Sequence, residues 1–560
     1  MFAQIQREYA VTLLCRRNVL PLFTFILLAW AFAEPSRADI AARDPAVTAK
    51  AIDQFIAKHL RRNKIVASDP SDDSEFLRRA YLDITGTIPN ANQAREFLDS
   101  KDPARRAKLI DELLASPNYG RHFGLQWCNL VTPRDANMIR PPDTKPLAKW
   151  FTDRFNQNQP WNKLVAELLT AEGPTTENPA GIFFILNGDS RSIPQANIAT
   201  RNLGQLFMGQ QVQCAECHNH PFQKWKQDEF WGMAAFFGRV SNTAKNAKGQ
   251  AGIYETAKGP VAKKGTINVP AGAPAIAISN EAFKNVGKVV PASLPTEHQP
   301  TIDPAEPLRP IFAEWLAAPK NPYLAKAAVN RLWANFFGRG FVNPLTDLSE
   351  DNRPSHPELL DHLTDEFVDS GFDQKHLIRC ICLSQTYQRT SQPTKSNKDD
   401  DQAFARMNVK VVGADGLWDS LCVALEVANL DLPAPKNATK SKASGTAPPK
   451  LSGRETFYAF FNTGDETGLA TEFTHGIPQA LRMMNQSVFN EGGKSLIRIA
   501  KLPNPESAVE EIYLTALSRR PTRLEAQEAG DFIRTAASPL EGYRGVFWAL
   551  LNGSEFMLNH

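Results

Sequence analysis

The sequence predicts a mainly α-helical protein, two helical domains joined by a Gly/Pro/Lys-rich segment with a little β structure. Three observations predict it. Apolar residues recur at i, i+3 and i+4 along most of the chain, in runs that stop at Gly or Pro. Between residues 241 and 307 that period vanishes, and Gly, Pro, Lys and Ala become abundant. The 560 residues also exceed the roughly 250–300 that one hydrophobic core usually organises. The division that follows is a signal peptide over 1–38, a first domain over 39–240, a linker or small β excursion over 241–307, and a second helical domain over 308–560.

Taken in order, the N-terminus carries Arg7, Arg16 and Arg17, then an apolar run over 19–33 with small-residue sites at Ala31-Phe32-Ala33 and Ser36-Arg37-Ala38. A positive region, a short apolar core and a cleavage site are the layout of a secretory signal. The run is too short for a comfortable membrane span. The expectation is a periplasmic or otherwise exported protein, with no membrane span once the signal is removed.

Helices follow. Asp72 and Asp73 precede Phe76, Leu77, Ala80, Tyr81 and Ile84 at helical spacing, until Gly86 stops the run. Asp102-Pro103 reads as a cap and first-turn pair ahead of Leu109, Ile110, Leu113 and Leu114. Residues 144–156 and 161–171 read as two helices broken at Pro160, and 199–213 as another. In the intervening segment, 265–269 and 288–290 read as short strands. The second domain opens near Leu308, with helices around Ile311–Leu316 and over 325–337, the latter ending at Gly338 and Gly340. Ser355-His356-Pro357-Glu358 has the spacing of a capping box, and Asp373 of a cap for the helix bearing His376. The Lys/Ser/Ala/Pro-rich stretch 433–451 reads as a disordered insertion. Helices return at 477–489, 507–517, 523–536 and 543–551.

Composition narrows the function classes. With 42% hydrophobic and 22% charged residues, the chain is globular rather than disordered or fibrous. A net charge of +3 offers no bulk attraction for nucleic acid or an anionic membrane surface.

Chemistry concentrates in Cys214-Ala215-Glu216-Cys217-His218-Asn219-His220-Pro221. Two thiols three positions apart, with His directly after the second, form the c-type haem attachment pattern. Each thiol adds to one porphyrin vinyl group, and the adjacent imidazole, His218, reaches the iron. Two alternatives share these residues. In an oxidising compartment Cys214 and Cys217 form a short-loop disulfide; or Cys214, Cys217, His218 and His220 supply ligands to zinc or iron. His220, two residues from His218, cannot readily serve the opposite face of the same haem. Met233 is a candidate sixth ligand, although gap-filling in the core is methionine's usual role. The dense run Phe222, Trp225, Phe230, Trp231, Met233, Phe236 and Phe237 reads either as an apolar wall for a porphyrin or as ordinary core.

Of the other cysteines, Cys15 leaves with the signal, while Cys128, Cys380, Cys382 and Cys422 read as small buried hydrophobes. His356, His362 and His376 have no spacing that pairs them as ligands and read as structural. The leading function is thus an exported haem protein that carries electrons to an unknown redox partner. An exported metal-dependent hydrolase of polymers is the alternative, though no hydrolase signature supports it and no catalytic residue can be assigned. A non-catalytic cell-surface binding or scaffold protein, with a structural Cys/His motif, is the third.

Several motifs also carry a family resemblance. Tyr81-Leu82-Asp83 with Thr85-Gly86, Leu113-Leu114-Ala115-Ser116-Pro117-Asn118-Tyr119-Gly120, and Cys214 through Phe222 with Ala234-Ala235-Phe236-Phe237 resemble the planctomycete cytochrome-c-type domain, a domain of unknown function. Asn330-Arg331-Leu332-Trp333, Phe336-Phe337-Gly338-Arg339-Gly340, Pro354 through Leu360, and Trp548 through Asn552 with Glu555-Phe556 resemble its usual C-terminal partner domain, also of unknown function. The resemblance covers nearly the whole mature chain and implies an exported, helical, two-domain protein. Its cytochrome label rests on the same Cys-x-x-Cys-His motif and repeats the haem expectation. Residues 127–135 depart from the family's run after the tryptophan, so no site is carried over to them.

Overall fold

The computed structural model describes residues 44–132, 142–242, 245, 249–256, 273–280, 285–430, 453–461 and 476–560. The expected signal peptide, the 265–269 strand and the 433–451 insertion lie outside these residues. Within them the protein is mainly α-helical, with small two-stranded antiparallel sheets.

The first helices are α1 (Pro45–Asn63), α2 (Asp73–Thr85), α3 (Ala91–Asp99), α4 (Arg105–Ala115), α5 (Pro117–Val131), α6 (Lys145–Asn156), α7 (Trp161–Leu169), α8 (Ile182–Leu186), α9 (Ala196–Leu203) and α10 (Gln227–Ala235). Next come α11 (Arg309–Ala317), α12 (Leu324–Phe337), α13 (Pro357–Asp369) and α14 (Gln374–Leu383). The last part holds α15 (Ala414–Leu425), α16 (Gly453–Phe461), α17 (Ile477–Asn485), α18 (Ser487–Asn490), α19 (Gly493–Ile499), α20 (Pro505–Leu517), α21 (Arg523–Thr535), α22 (Pro539–Leu551) and α23 (Ser554–Met557).

Local chemistry explains many of these ends. The Asp72 carboxylate accepts from Glu75 N, opening α2, and Gly86 closes it in the left-handed region at φ 70°. Asp373 opens α14 by accepting from His376 N, and Gly338 ends α12 at φ 74°. Two expected starts differ. Asp102 accepts from Ala104 N at 2.8 Å, forming a turn ahead of α4 instead of capping it. The box expected at Ser355–Glu358 does not close, because Pro357 takes the first helical position and moves the cap to His356. Glu358 is then one residue too early to reach back, and it pairs with Lys58 of α1 at 2.7 Å.

The helix expected over 199–213 also ends sooner. From α9 the chain passes through a wider π-helical turn, Gly204–Met208, and stops at Gly209, whose φ is 62°. A side chain there would be strained and would meet Leu348 Cδ1 at 2.5 Å. That stop releases the chain into the Cys/His segment.

The strands pair locally or close long loops. β1 (Val240–Ser241) pairs with β2 (Tyr254–Glu255), and β3 (Ala275–Asn280) with β4 (Asn285–Pro291), where Ile276 faces Val290 and Ala277 faces Val289. β5 (Lys410–Val411) pairs with β6 (Leu558–Asn559), joining distant parts of the chain.

Two large apolar clusters fill the interior. One gathers Ile52, Phe76, Trp161, Phe207, Ile253, Leu294, Phe312, Trp333, Leu377 and Tyr387. It therefore takes residues from both sides of the 241–307 segment and from within it. The other joins Leu82 and Ile88 to residues from Val412 to Phe556.

Helix α2 contributes to both. Its buried Arg78 donates to the carbonyls of Ala516, Glu555 and Phe556, and its buried Arg79 to those of Tyr387, Arg389 and His560. Asp83, also buried, accepts from the Lys410 ammonium, from Tyr387 Oη at 2.8 Å and from Asn559 Nδ2 at 2.6 Å. Arg78, Arg79 and Asp83 thus hold the C-terminal segment in place.

Candidate functional site

The Cys/His segment begins with a single 3-10 turn, Gln213–Glu216. Such a turn has about 3.0 residues per turn, so side chains three apart stand on one side. Cys214 and Cys217 are three apart. Cys217 N and His218 N both point to Cys214 O at 3.4 Å, which carries the same curvature through the histidine. Both thiols are free and exposed, and His218 is exposed beside them. The local backbone thus supplies two accessible thiols and an imidazole within five residues.

The two histidines are not equivalent. His218 Nδ1 lies 2.8 Å from the carbonyl oxygen of Asn219. A carbonyl only accepts, so Nδ1 carries the proton, and the neutral ring keeps its lone pair on Nε2. His220 is arranged oppositely. Its Nδ1 accepts from the backbone N–H of Phe222 at 3.2 Å and of Gln223 at 2.9 Å, while the His220 backbone N–H donates to Trp225 O at 2.8 Å. The neutral His220 ring therefore carries its proton on Nε2 and serves to fold the Asn219–Trp225 loop.

A half-buried set of side chains supports the turn. The Glu216 carboxylate accepts from Asn197 Nδ2 at 2.9 Å and pairs with Arg201 at 3.3 Å, both on α9. Its carbonyl accepts from Trp231 Nε1 at 2.9 Å, and the Gln227 side chain donates to Cys217 O at 2.9 Å. Trp225 is buried and donates to Gln210 Oε1 at 3.2 Å. Asn197, Arg201 and Gln227 were not legible as part of the site, and Trp231 was legible only as a member of the aromatic run. Only the Glu216 carboxyl between the two cysteines hinted that the turn needs an anchor.

The aromatic run is core. Trp225, Phe230, Phe236 and Phe237 are buried, with Phe236 and Phe237 against Phe312 and Trp225 near Tyr323. Met233 is fully buried among them. Trp231 is half-buried, and Phe222 stands apart at 84% exposed, because the His220 turn holds it outward. Phe222 precedes α10, whose residues Phe230 and Gly232 to Ala235 are buried nearly all round the helix.

His356, His362 and His376 lie elsewhere, in packing roles. His356 packs against His59 with ring centroids 4.1 Å apart and the planes tilted by 37°, and contacts Ser355 Oγ at 3.0 Å through Nδ1. Burial and the neighbouring His59 push its pKa down to about 3. His362 packs on Phe55, and His376 Nε2 meets Glu366 Oε1 at 2.8 Å and Cys380 Sγ at 3.5 Å. Cys128, Cys380 and Cys382 are buried and Cys422 half-buried, all as free thiols. Burial raises Cys128 and Cys380 to about 12 and Cys422 to about 11, as expected of inert thiols.

Among the described residues, no three His, Cys, Asp or Glu side chains converge as a metal-ligand group. Nor is any helix among them long and apolar enough to cross a membrane.

Two family models match parts of this chain. Residues 51–242 match PSCyt2, a protein of unknown function (DUF1549), and residues 308–533 match PSD1, a protein of unknown function (DUF1553). No curated protein and no solved structure matches the chain. The chain thus carries two domains of unknown function in N-to-C order, the first similar to PSCyt2 and the second to PSD1.

Proposed function

We propose that this is an exported c-type haem protein that transfers electrons, with haem carried by Cys214 and Cys217 and its iron ligated by His218. The observation that carries this is the coincidence of two exposed thiols on one side of a turn with a neighbouring imidazole whose Nε2 lone pair is free. Haem so attached supplies one-electron chemistry. The chain's own residues do the rest. The α9 and α10 contacts to Glu216 and Cys217 hold the turn against the core, so the thiols remain outside it. His218 is oriented by the Asn219 carbonyl, the kind of outer contact that fixes a ligating imidazole. Phe222 stands ready as apolar cover. His220 has no part in ligation, since its free nitrogen bears the proton.

The experiment is expression in a host competent for cytochrome c maturation, read by a haem-stained denaturing gel and intact mass. Wild-type protein should keep haem through denaturation. The Cys214→Ala/Cys217→Ala double variant should lose it, and His218→Ala should impair attachment and alter ligation. His220→Ala should retain covalent haem while loosening the loop. Wild-type protein that runs without haem but binds zinc or iron dependent on His220 would refute the proposal.

A further inference from the structure

We infer that Gln227 is a positioning residue for His218, setting its tautomer and orientation. Its consequence for a bound iron rests on the haem reading above; its geometry does not. Gln227 is the first residue of α10. Its backbone N–H donates to Asn219 Oδ1 at 2.9 Å, and its side-chain Nε2 donates to Cys217 O at 2.9 Å and Glu216 O at 3.3 Å. One residue therefore grips the chain immediately before and immediately after His218. Asn219, held on one side by Gln227, presents its carbonyl to His218 Nδ1 at 2.8 Å.

The chemistry of the gripping group matters. A primary amide has two N–H donors, enough for two neighbouring carbonyls. A carboxylate of the same shape has none and faces those carbonyls with like charge. Gln227 is also well anchored: Lys226 N donates to Glu229 Oε2 at 2.8 Å at the helix start, and Phe230 and Met233 bury α10 in the core. The loop's grip is thus rigidly connected to the interior, while His218 itself stays exposed.

The test uses the full chain with 15N-labelled histidine, the His218 signals being identified by their loss in His218→Gln. In wild type, nitrogen shifts should show the proton on Nδ1 of His218. Gln227→Glu should shift the ring towards a mixture with the Nε2–H form, and Gln227→Lys, which restores donors, should return it. Trp231→Phe removes a different hydrogen bond to the same turn, to Glu216 O, and should leave the tautomer alone. Where Gln227→Glu does not fold, Gln227→Ala reads the same switch. On haem-loaded protein, Gln227→Glu should keep covalent haem yet bind added imidazole about 10-fold more tightly, the scale of outer-contact effects on metal sites. An unchanged tautomer in Gln227→Glu and Gln227→Ala, or an equal change in Trp231→Phe, overturns the inference. Wild-type protein without haem overturns the functional reading instead, and leaves the tautomer result to decide the role of Gln227.

Discussion

Single residues here take their roles from which of their atoms is already bonded. His218 and His220 are two apart and of one type, yet one keeps Nε2 free and the other spends Nδ1 on folding a loop. His356 shows the same dependence for protons. Its ring is buried against His59, whose own pKa is lowered by burial, with Asp400 opposing that shift and Arg62 adding to it. The folded state holds His356 near 3 against an ordinary 6.5, so the unfolded chain binds the extra proton between these values. Stability from this site is full above pH 6.5 and is lost as pH falls towards 3, at up to about 1.4 kcal/mol per unit. Thermal melts of wild type and His356→Gln between pH 7 and 4 should therefore diverge at neutral pH and converge in acid. Parallel curves would show that some other group carries the acid sensitivity.

Among the elements, α2 is the one whose polar residues do most to join the chain. Its amphipathic spacing accounted for Phe76, Leu77, Ala80 and Ile84, all buried. That spacing gave no sign that Arg78, Arg79 and Asp83 would be buried as well. Each hydrogen-bonds to partners far along the chain, which is what offsets the cost of burying charge. Lys410 is the clearest case. Burial lowers its pKa, and the Asp83 carboxylate opposes that shift. Asp83→Leu alone should leave a buried ammonium with only carbonyl partners and destabilise the protein by about 3–5 kcal/mol. Replacing the pair together, Asp83→Leu with Lys410→Met, should recover much of that loss. Calorimetric melts of wild type and the two variants measure it; a double variant as unstable as the single would contradict a paired-charge account.

Across the whole molecule, composition and packing divide the chain differently. The Gly/Pro/Lys-rich character of 241–307 marks a joint between two sequence regions, and the two family matches fall on either side of it. Packing does not stop there: Ile253 and Leu294 are buried in the same cluster as Phe76 and Trp333. Asp83–Lys410 and β5–β6 add polar ties between remote segments. A sequence-specific protease site engineered between the exposed Gly249 and Gln250 tests which division governs stability. The cleaved chain should elute as one species in native buffer and separate into two only in denaturant. Fragments that part in native buffer would mean that the halves fold and stand independently.

What the sequence determined by itself was local. Helix positions, the caps at Asp72 and Asp373, and the stops at Gly86 and Gly338 depend on neighbours within a few residues. The tertiary structure alone decided that the aromatic run from Trp225 to Phe237 is core, that His220 folds a loop, that Gln227 brackets His218, and that Asp83 meets a lysine 327 positions away. The reason is physical. Periodicity records which face of an element is apolar, but the partner of a polar atom is set by where the backbone returns. That return is the joint outcome of all the packing between.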